Sequence, residues 1–100
     1  MLAPYEVTRS PNLTLAVRGS LDINTAPALA EEIDRIMANR PPAITVDLGA
    51  LELIDSSGVA ALVKLYKAIR GVGGTITFIN TRDQPLAIFK LLKMDKVFNI

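Results

Sequence analysis

The residues best placed to do chemistry lie in one short stretch, Leu53-Ile54-Asp55-Ser56-Ser57-Gly58, which runs directly into Val59-Ala60-Ala61-Leu62-Val63. It reads as a short apolar strand, a polar elbow with two hydroxyls, and the first turn of an amphipathic helix. A serine at such an elbow is accessible and sits at the positive end of the helix dipole. That position accepts a phosphate without melting the helix behind it.

Catalysis at the same elbow fits poorly. Ser56 or Ser57 would need a base, and the nearest titratable group in sequence is Asp55. A carboxylate alone activates a serine hydroxyl weakly, and the chain contains no histidine to relay it. The Gly-x-Ser-x-Gly nucleophile elbow is absent. A nucleotide-binding loop fares no better, because Asp55-Ser56-Ser57-Gly58 has one glycine and lacks the P-loop lysine. Gly71-Val72-Gly73-Gly74 follows a helix rather than preceding one, so it reads as a helix stop. The chain is therefore read as no enzyme, with no cofactor and no metal. Capping explains Asp55, Ser56 and Ser57 as well, at about 1 kcal/mol for a good cap. From the residues alone, cap and switch both remain open.

The elements that hold this elbow follow from periodicity. Tyr5–Arg9 and Leu13–Gly19 alternate and flank a turn at Ser10-Pro11-Asn12, which predicts a hairpin. Asn24 or Thr25 is placed to cap a helix with Pro27 in its first turn. Ala26, Leu29, Ile33, Ile36 and Met37 share its inner face, with Glu31, Glu32, Asp34 and Arg35 outside. Ala43–Leu48 is β-branched and suits a central strand. The elbow helix runs from about Ser57 to Arg70, with Val59, Leu62, Val63, Tyr66 and Ile69 on one face and Lys64, Lys67 and Arg70 on the other. Thr75–Ile79 is a further strand, Asp83 is placed to cap a third helix, and Val97-Phe98 predicts a last short strand. Leu86, Phe89 and Leu92 share one face of the third helix, whose apolar surplus, if exposed, would mark a second contact surface. The order predicts an α/β fold: a mixed sheet of about four to five strands packed against three or more helices.

Composition agrees with one folded domain over residues 1–100, since half of the chain is hydrophobic and 21% is charged. Residues 1–50 hold four basic and six acidic side chains, and residues 51–100 hold seven and four, giving −2 and +3. Neither half carries a polybasic run, so direct nucleic-acid binding is not expected. The absence of cysteine excludes disulfides and thiolate metal sites. The start, Met1-Leu2-Ala3-Pro4-Tyr5-Glu6, lacks a basic n-region and an apolar h-region, and no apolar run approaches the roughly 18 residues of a membrane span. The expectation is a cytoplasmic protein with no membrane insertion, its oligomeric state left open.

Placed between a hydrophobic strand and a helix, Leu53-Ile54-Asp55-Ser56-Ser57-Gly58-Val59 resembles the signature of bacterial anti-sigma factor antagonists, the small stand-alone members of the STAS domain family. Gly19-Ser20-Leu21-Asp22 resembles the family's Gly-x-Leu-Asp step, Val46-Asp47-Leu48 its strand before the elbow, Gly73-Gly74 its turn after the elbow helix, and Met94–Phe98 its closing segment. Two departures stand out. Ala60 replaces a second glycine common in the family, still small enough for close packing. Many relatives also continue into a C-terminal helix, whereas this chain stops at Ile100.

The resemblance implies a single STAS-like domain that works as a partner switch. The unmodified protein would bind an anti-sigma factor that is itself a serine kinase, freeing a sigma factor. Phosphorylation at the first serine after the aspartate, Ser56, would end binding, and a serine/threonine phosphatase would reset it. Asp55 and Asp22 match acidic positions around the phosphorylation loop; Ser57 and Gly58 support it by capping and packing. Asp22 also reads as a turn residue bonding its own backbone. The elbow helix is then the expected interface, with Val59 and Lys64 near its exposed side. Two alternatives share the fold: an accessory subunit docking on the ATPase of an ABC-type lipid transport complex, and a scaffold subunit of a signalling assembly.

Overall fold

The computed structural model describes residues 4–100, so Met1-Leu2-Ala3 at the chain start lie outside the described residues. Strands β1 (Tyr5–Thr8) and β2 (Thr14–Leu21) form the expected antiparallel hairpin, with Tyr5 opposite Val17 and Thr8 opposite Thr14. Helix α1 (Ala26–Ala38) then crosses to β3 (Ala43–Ile54), which runs parallel to β2, and α2 (Ser56–Gly71) crosses to β4 (Thr75–Ile79), parallel to β3. Helix α3 (Asp83–Leu91) and the short α4 (Met94–Val97) close the chain. Among the described residues the sheet order is β1-β2-β3-β4, four strands with one antiparallel edge.

The core follows from alternation that shifts phase once. Leu15, Val17 and Leu21 on β2, and Ile44, Val46 and Leu48 on β3, are buried under the helices. Past Leu48 the inward residues of β3 become Leu51 and Ile54, three apart rather than two. The register explains it: Ala16 and Arg18 face Asp47 and Ala50, while Gly19 and Ser20 face Leu51 and Leu53. Strand β3 thus carries two bulges against β2, and each turns the next core residue back inward. Alternation predicts one strand over Ala43–Leu48 and another near Leu53; the bulges join them into one strand of 12 residues.

Three further expectations are corrected. Val97-Phe98 forms no strand. The Phe98 amide donates to the Met94 carbonyl at 2.9 Å, and the ring stacks on Phe78 at 4.2 Å, packing also near Tyr66 and Phe89. A helical turn delivers the ring to this cluster. Glu32, expected outside α1, is buried with its carboxylate 2.6 Å from the Arg35 guanidinium, a partner that makes the burial tolerable. Asp83 does not cap α3: it is the first helical residue, at φ 56°, behind an extended Arg82. Leu91 and Leu92 are indeed exposed, together with Val97.

The far end of the sheet, where β2 and β3 begin, is lined by Pro11, Asn12, Pro41 and Pro42. The opposite end, where these two parallel strands finish, holds the elbow. Among the described residues no helix is long and apolar enough to cross a membrane.

Candidate functional site

Parallel pairing brings the two acidic loops side by side. Leu21 and Ile54 are register partners at the last rungs of β2 and β3, so Asp22 and Asp55 each follow directly from a paired strand end. The Asp55 amide donates to the Leu21 carbonyl at 3.1 Å, joining the two loops through the backbone. Asp22 and Asp55 line one shallow hollow together with Ser20, Leu53 and Gln84.

Each aspartate organises a helix start. Asp55 is the N-cap of α2, extended in backbone, and its Oδ1 accepts from the Gly58 amide at 3.0 Å. Asp22 works two to three residues ahead of the Asn24 or Thr25 cap expected for α1. Its Oδ1 accepts from the amides of Asn24 (2.9 Å) and Thr25 (3.2 Å), and its carbonyl accepts from the Ala26 amide at 2.7 Å. Thr25, formally the N-cap, makes no side-chain cap; its hydroxyl donates to the Ser20 carbonyl at 2.8 Å instead.

Ser56 is the first residue of α2 and is exposed. Because Asp55 carries the cap, the Ser56 hydroxyl is left out of it. Its site combines the free amides of a helix N-terminus with the neighbouring Asp55 carboxylate. Ser57 is half-buried and lines a second hollow, an apolar groove between α1 and α2 that also involves Ile23, Ala26, Pro27, Ala60 and Lys64. Ser56 lies in sequence between the residues of the two hollows.

Gly58 is buried, and a Cβ there would collide with the Leu21 carbonyl while standing 2.7 Å from Ile54 Cγ1. Only glycine lets α2 approach the end of β2 this closely. Ala60 is exposed along the groove rather than closely packed. Lys64 is exposed and pairs with Asp34 of α1 at 3.4 Å, as expected of an outward residue. Val59 is corrected: at 6% exposure it belongs to the core, since the first turn of α2 leans onto the sheet through Gly58.

Sequence reasoning missed three residues here. Ile23 is 70% exposed beside the groove, and Leu53, expected as part of an apolar strand, is 53% exposed because the bulge at Glu52 turns it outward. Gln84 reaches back from α3 to the backbone of Ile54, with Oε1 accepting from the Ile54 amide at 2.9 Å and Nε2 donating to its carbonyl at 3.0 Å. For Ile23 an apolar residue in a polar turn was the available signal; for Gln84 there was none.

This geometry has known counterparts. A family model described as the STAS domain matches residues 4–100. The anti-sigma-F factor antagonist RsfB of Mycobacterium tuberculosis is 40% identical over 90 residues, covering 86% of this chain and 70% of RsfB. The crystal structure of an anti-sigma factor antagonist from Mycobacterium paratuberculosis superposes with a TM-score of 0.80 at 28% identity, over 94% of this chain and 80% of that one. The Bacillus cell fate determinant SpoIIAA in its phosphorylated form gives a TM-score of 0.74 at 16% identity, over 92% of this chain and 86% of its own, a likeness of fold. The fold is thus a shared one, and the chain belongs to the STAS domain family.

Proposed function

We propose that this protein is an anti-sigma factor antagonist. Its unmodified form binds an anti-sigma factor that is itself a serine kinase and thereby frees a sigma factor. Phosphorylation of Ser56 ends the docking, and a serine/threonine phosphatase restores it. The protein acts by binding and performs no catalysis of its own.

The observation that carries this reading is the division of labour at the start of α2. Asp55 holds the helix, and the adjacent Ser56 is exposed with its hydroxyl outside the cap. A phosphate there adds about −1.5 to −2 charge next to the Asp55 carboxylate. The helix N-terminus accommodates that charge within the protein. A partner seated on the same surface would have to desolvate it beside a second anion, and docking weakens. Exposed Ile23 and Leu53, with the α1–α2 groove and Lys64 at its rim, supply the apolar centre and charged edge that a protein interface needs.

Three baits test the reading in a native lysate: wild type, Ser56→Ala and Ser56→Asp. A kinase-like ATPase retained by wild type and Ser56→Ala but lost by Ser56→Asp is the expected result. A transporter ATPase held equally by all three would overturn it and make the protein a transport accessory subunit.

A further inference from the structure

We infer that Gln84 is a positioning residue for the phosphoacceptor: its carboxamide replaces a missing neighbouring strand at the end of β3 and fixes the elbow on which Ser56 stands. This deepens the proposed function and rests on it.

The sheet itself poses the need. β3 pairs with β4 only as far as Asp47 opposite Ile79, so among the described residues its last seven have no strand on that side. Those residues carry both bulges and lead directly into Asp55 and Ser56. An unpaired strand end of this kind frays, and its amides exchange with water.

Two side chains from the segment entering α3 take the place of the absent strand. Arg82 donates to the Gly49 carbonyl from Nη2 at 2.6 Å and from Nε at 3.3 Å. Gln84 closes both the amide and the carbonyl of Ile54, the pattern that a strand residue would provide. The primary amide is the side chain with one acceptor and one donor in the required spacing. Asp83 between them takes φ 56°, a conformation aspartate tolerates better than most residues, and so turns the chain at this point.

The consequence runs over two residues. On its other side the Asp55 amide is held by the Leu21 carbonyl. Ile54 and Asp55 are therefore gripped from opposite flanks, and Ser56 follows from a backbone with little freedom. Phosphoryl transfer is sensitive to such placement, because an acceptor hydroxyl must lie in line with the transferred group. Gln84 is half-buried in the hollow that also contains Asp22 and Asp55, and it acts through Ile54.

Gln84→Leu and Gln84→Glu test the role, each first checked for a cooperative thermal melt. In Gln84→Leu the Ile54 amide is expected to exchange roughly tenfold faster or more by nuclear magnetic resonance, while amides in the centre of β2 keep wild-type rates. In Gln84→Glu one carboxylate oxygen still accepts from the Ile54 amide, but the other opposes the Ile54 carbonyl without a proton between them. Acidification towards the ordinary glutamate range, about pH 4, supplies that proton and restores Ile54 protection in this variant only. With Mg-ATP and the purified kinase retained by the unmodified protein, both variants are expected to lose about tenfold in kcat for Ser56 phosphorylation, with KM within about twofold.

Unchanged kcat despite faster Ile54 exchange would overturn the positioning role alone, as would unchanged exchange in both variants. A wild-type protein that this kinase binds and never phosphorylates would overturn the functional reading, and the positioning role with it.

Discussion

Gly58, in the first turn of α2, lies directly against the Leu21 carbonyl that ends β2, with no room for a single additional carbon between them. The atoms around that space are a backbone oxygen, Ile54 Cγ1 and Leu21 Cγ, the last two 2.7 and 2.8 Å from where a Cβ would stand. A backbone oxygen cannot rotate aside as a side chain does. Gly58→Ala gains about 1 kcal/mol of helix propensity. It loses more by prising α2 off the sheet, for a net cost of about 2 kcal/mol or more. The last residue of the same helix provides the contrast, since a Cβ on Gly71 meets nothing within 4 Å. Thermal melts should show a fall of about 10 °C for Gly58→Ala and a rise of a few degrees for Gly71→Ala.

The Asp55 cap is a separate contribution. Asp55→Ala removes the acceptor of the Gly58 amide and should cost about 1 kcal/mol in denaturant unfolding, whereas Asp55→Asn keeps an acceptor and most of that stability. In the pull-down, Asp55→Asn distinguishes capping from charge. It should still bind the partner, and its docking should resist phosphorylation of Ser56 better than wild type, because one of the two anions is gone.

Ser56→Asp should leave stability within about 1 kcal/mol of wild type, since an anion at the first turn suits the helix dipole. Partner affinity should nevertheless fall by at least tenfold in titration calorimetry. A variant that lost both together would argue that the added charge unfolds the elbow instead of blocking it.

Val59 and Lys64 should part company in the same assays. Val59→Ala deletes core volume and should lower stability by roughly 1 to 3 kcal/mol, with partner affinity reduced only as far as unfolding explains. Lys64 and Asp34 form a solvent-exposed pair, so Lys64→Glu should change stability by about 0.5 kcal/mol or less. If the α1–α2 groove is the docking surface, Lys64→Glu weakens the partner and slows its association at low salt.

Phe98 contacts rings from three other elements, Tyr66 of α2, Phe78 of β4 and Phe89 of α3, and is almost fully buried. Phe98→Ala should cost about 3 to 5 kcal/mol, read as a lower denaturant midpoint with unchanged slope.

Local chemistry made much of this legible in the sequence. The hairpin, α1, α2 and β4 follow from alternation, helical spacing and the punctuation by Pro and Gly, and Asp55-Ser56-Ser57-Gly58 announced a helix start with spare hydroxyls. What escaped were arrangements decided by distant residues. The bulges of β3 are a property of its register with β2, invisible along a chain where Gly49-Ala50 simply interrupts the alternation. Val97-Phe98 has the composition of a strand, but the space for its ring lies among aromatics from three other elements. Glu32 is the exception, decided locally: three residues after Leu29 and four before Ile36, it stands at the edge of the apolar stripe of α1, and Arg35 one turn on compensates its charge. Gln84 bonds a residue thirty positions earlier, and no periodicity encodes that.

The two ends of the sheet differ in how they turn the chain. At one, Pro11, Pro41 and Pro42 stiffen the loops before β2 and β3; at the other, Asp22, Asp55, Gln84 and Gly58 hold the elbow through contacts with backbone. The proline loops and the proposed docking end therefore lie about the length of a strand apart. A fluorophore or affinity tag attached beside Asn12 should report on events at Ser56 without touching them, and the same probe moved to Ile23 should act as a plug.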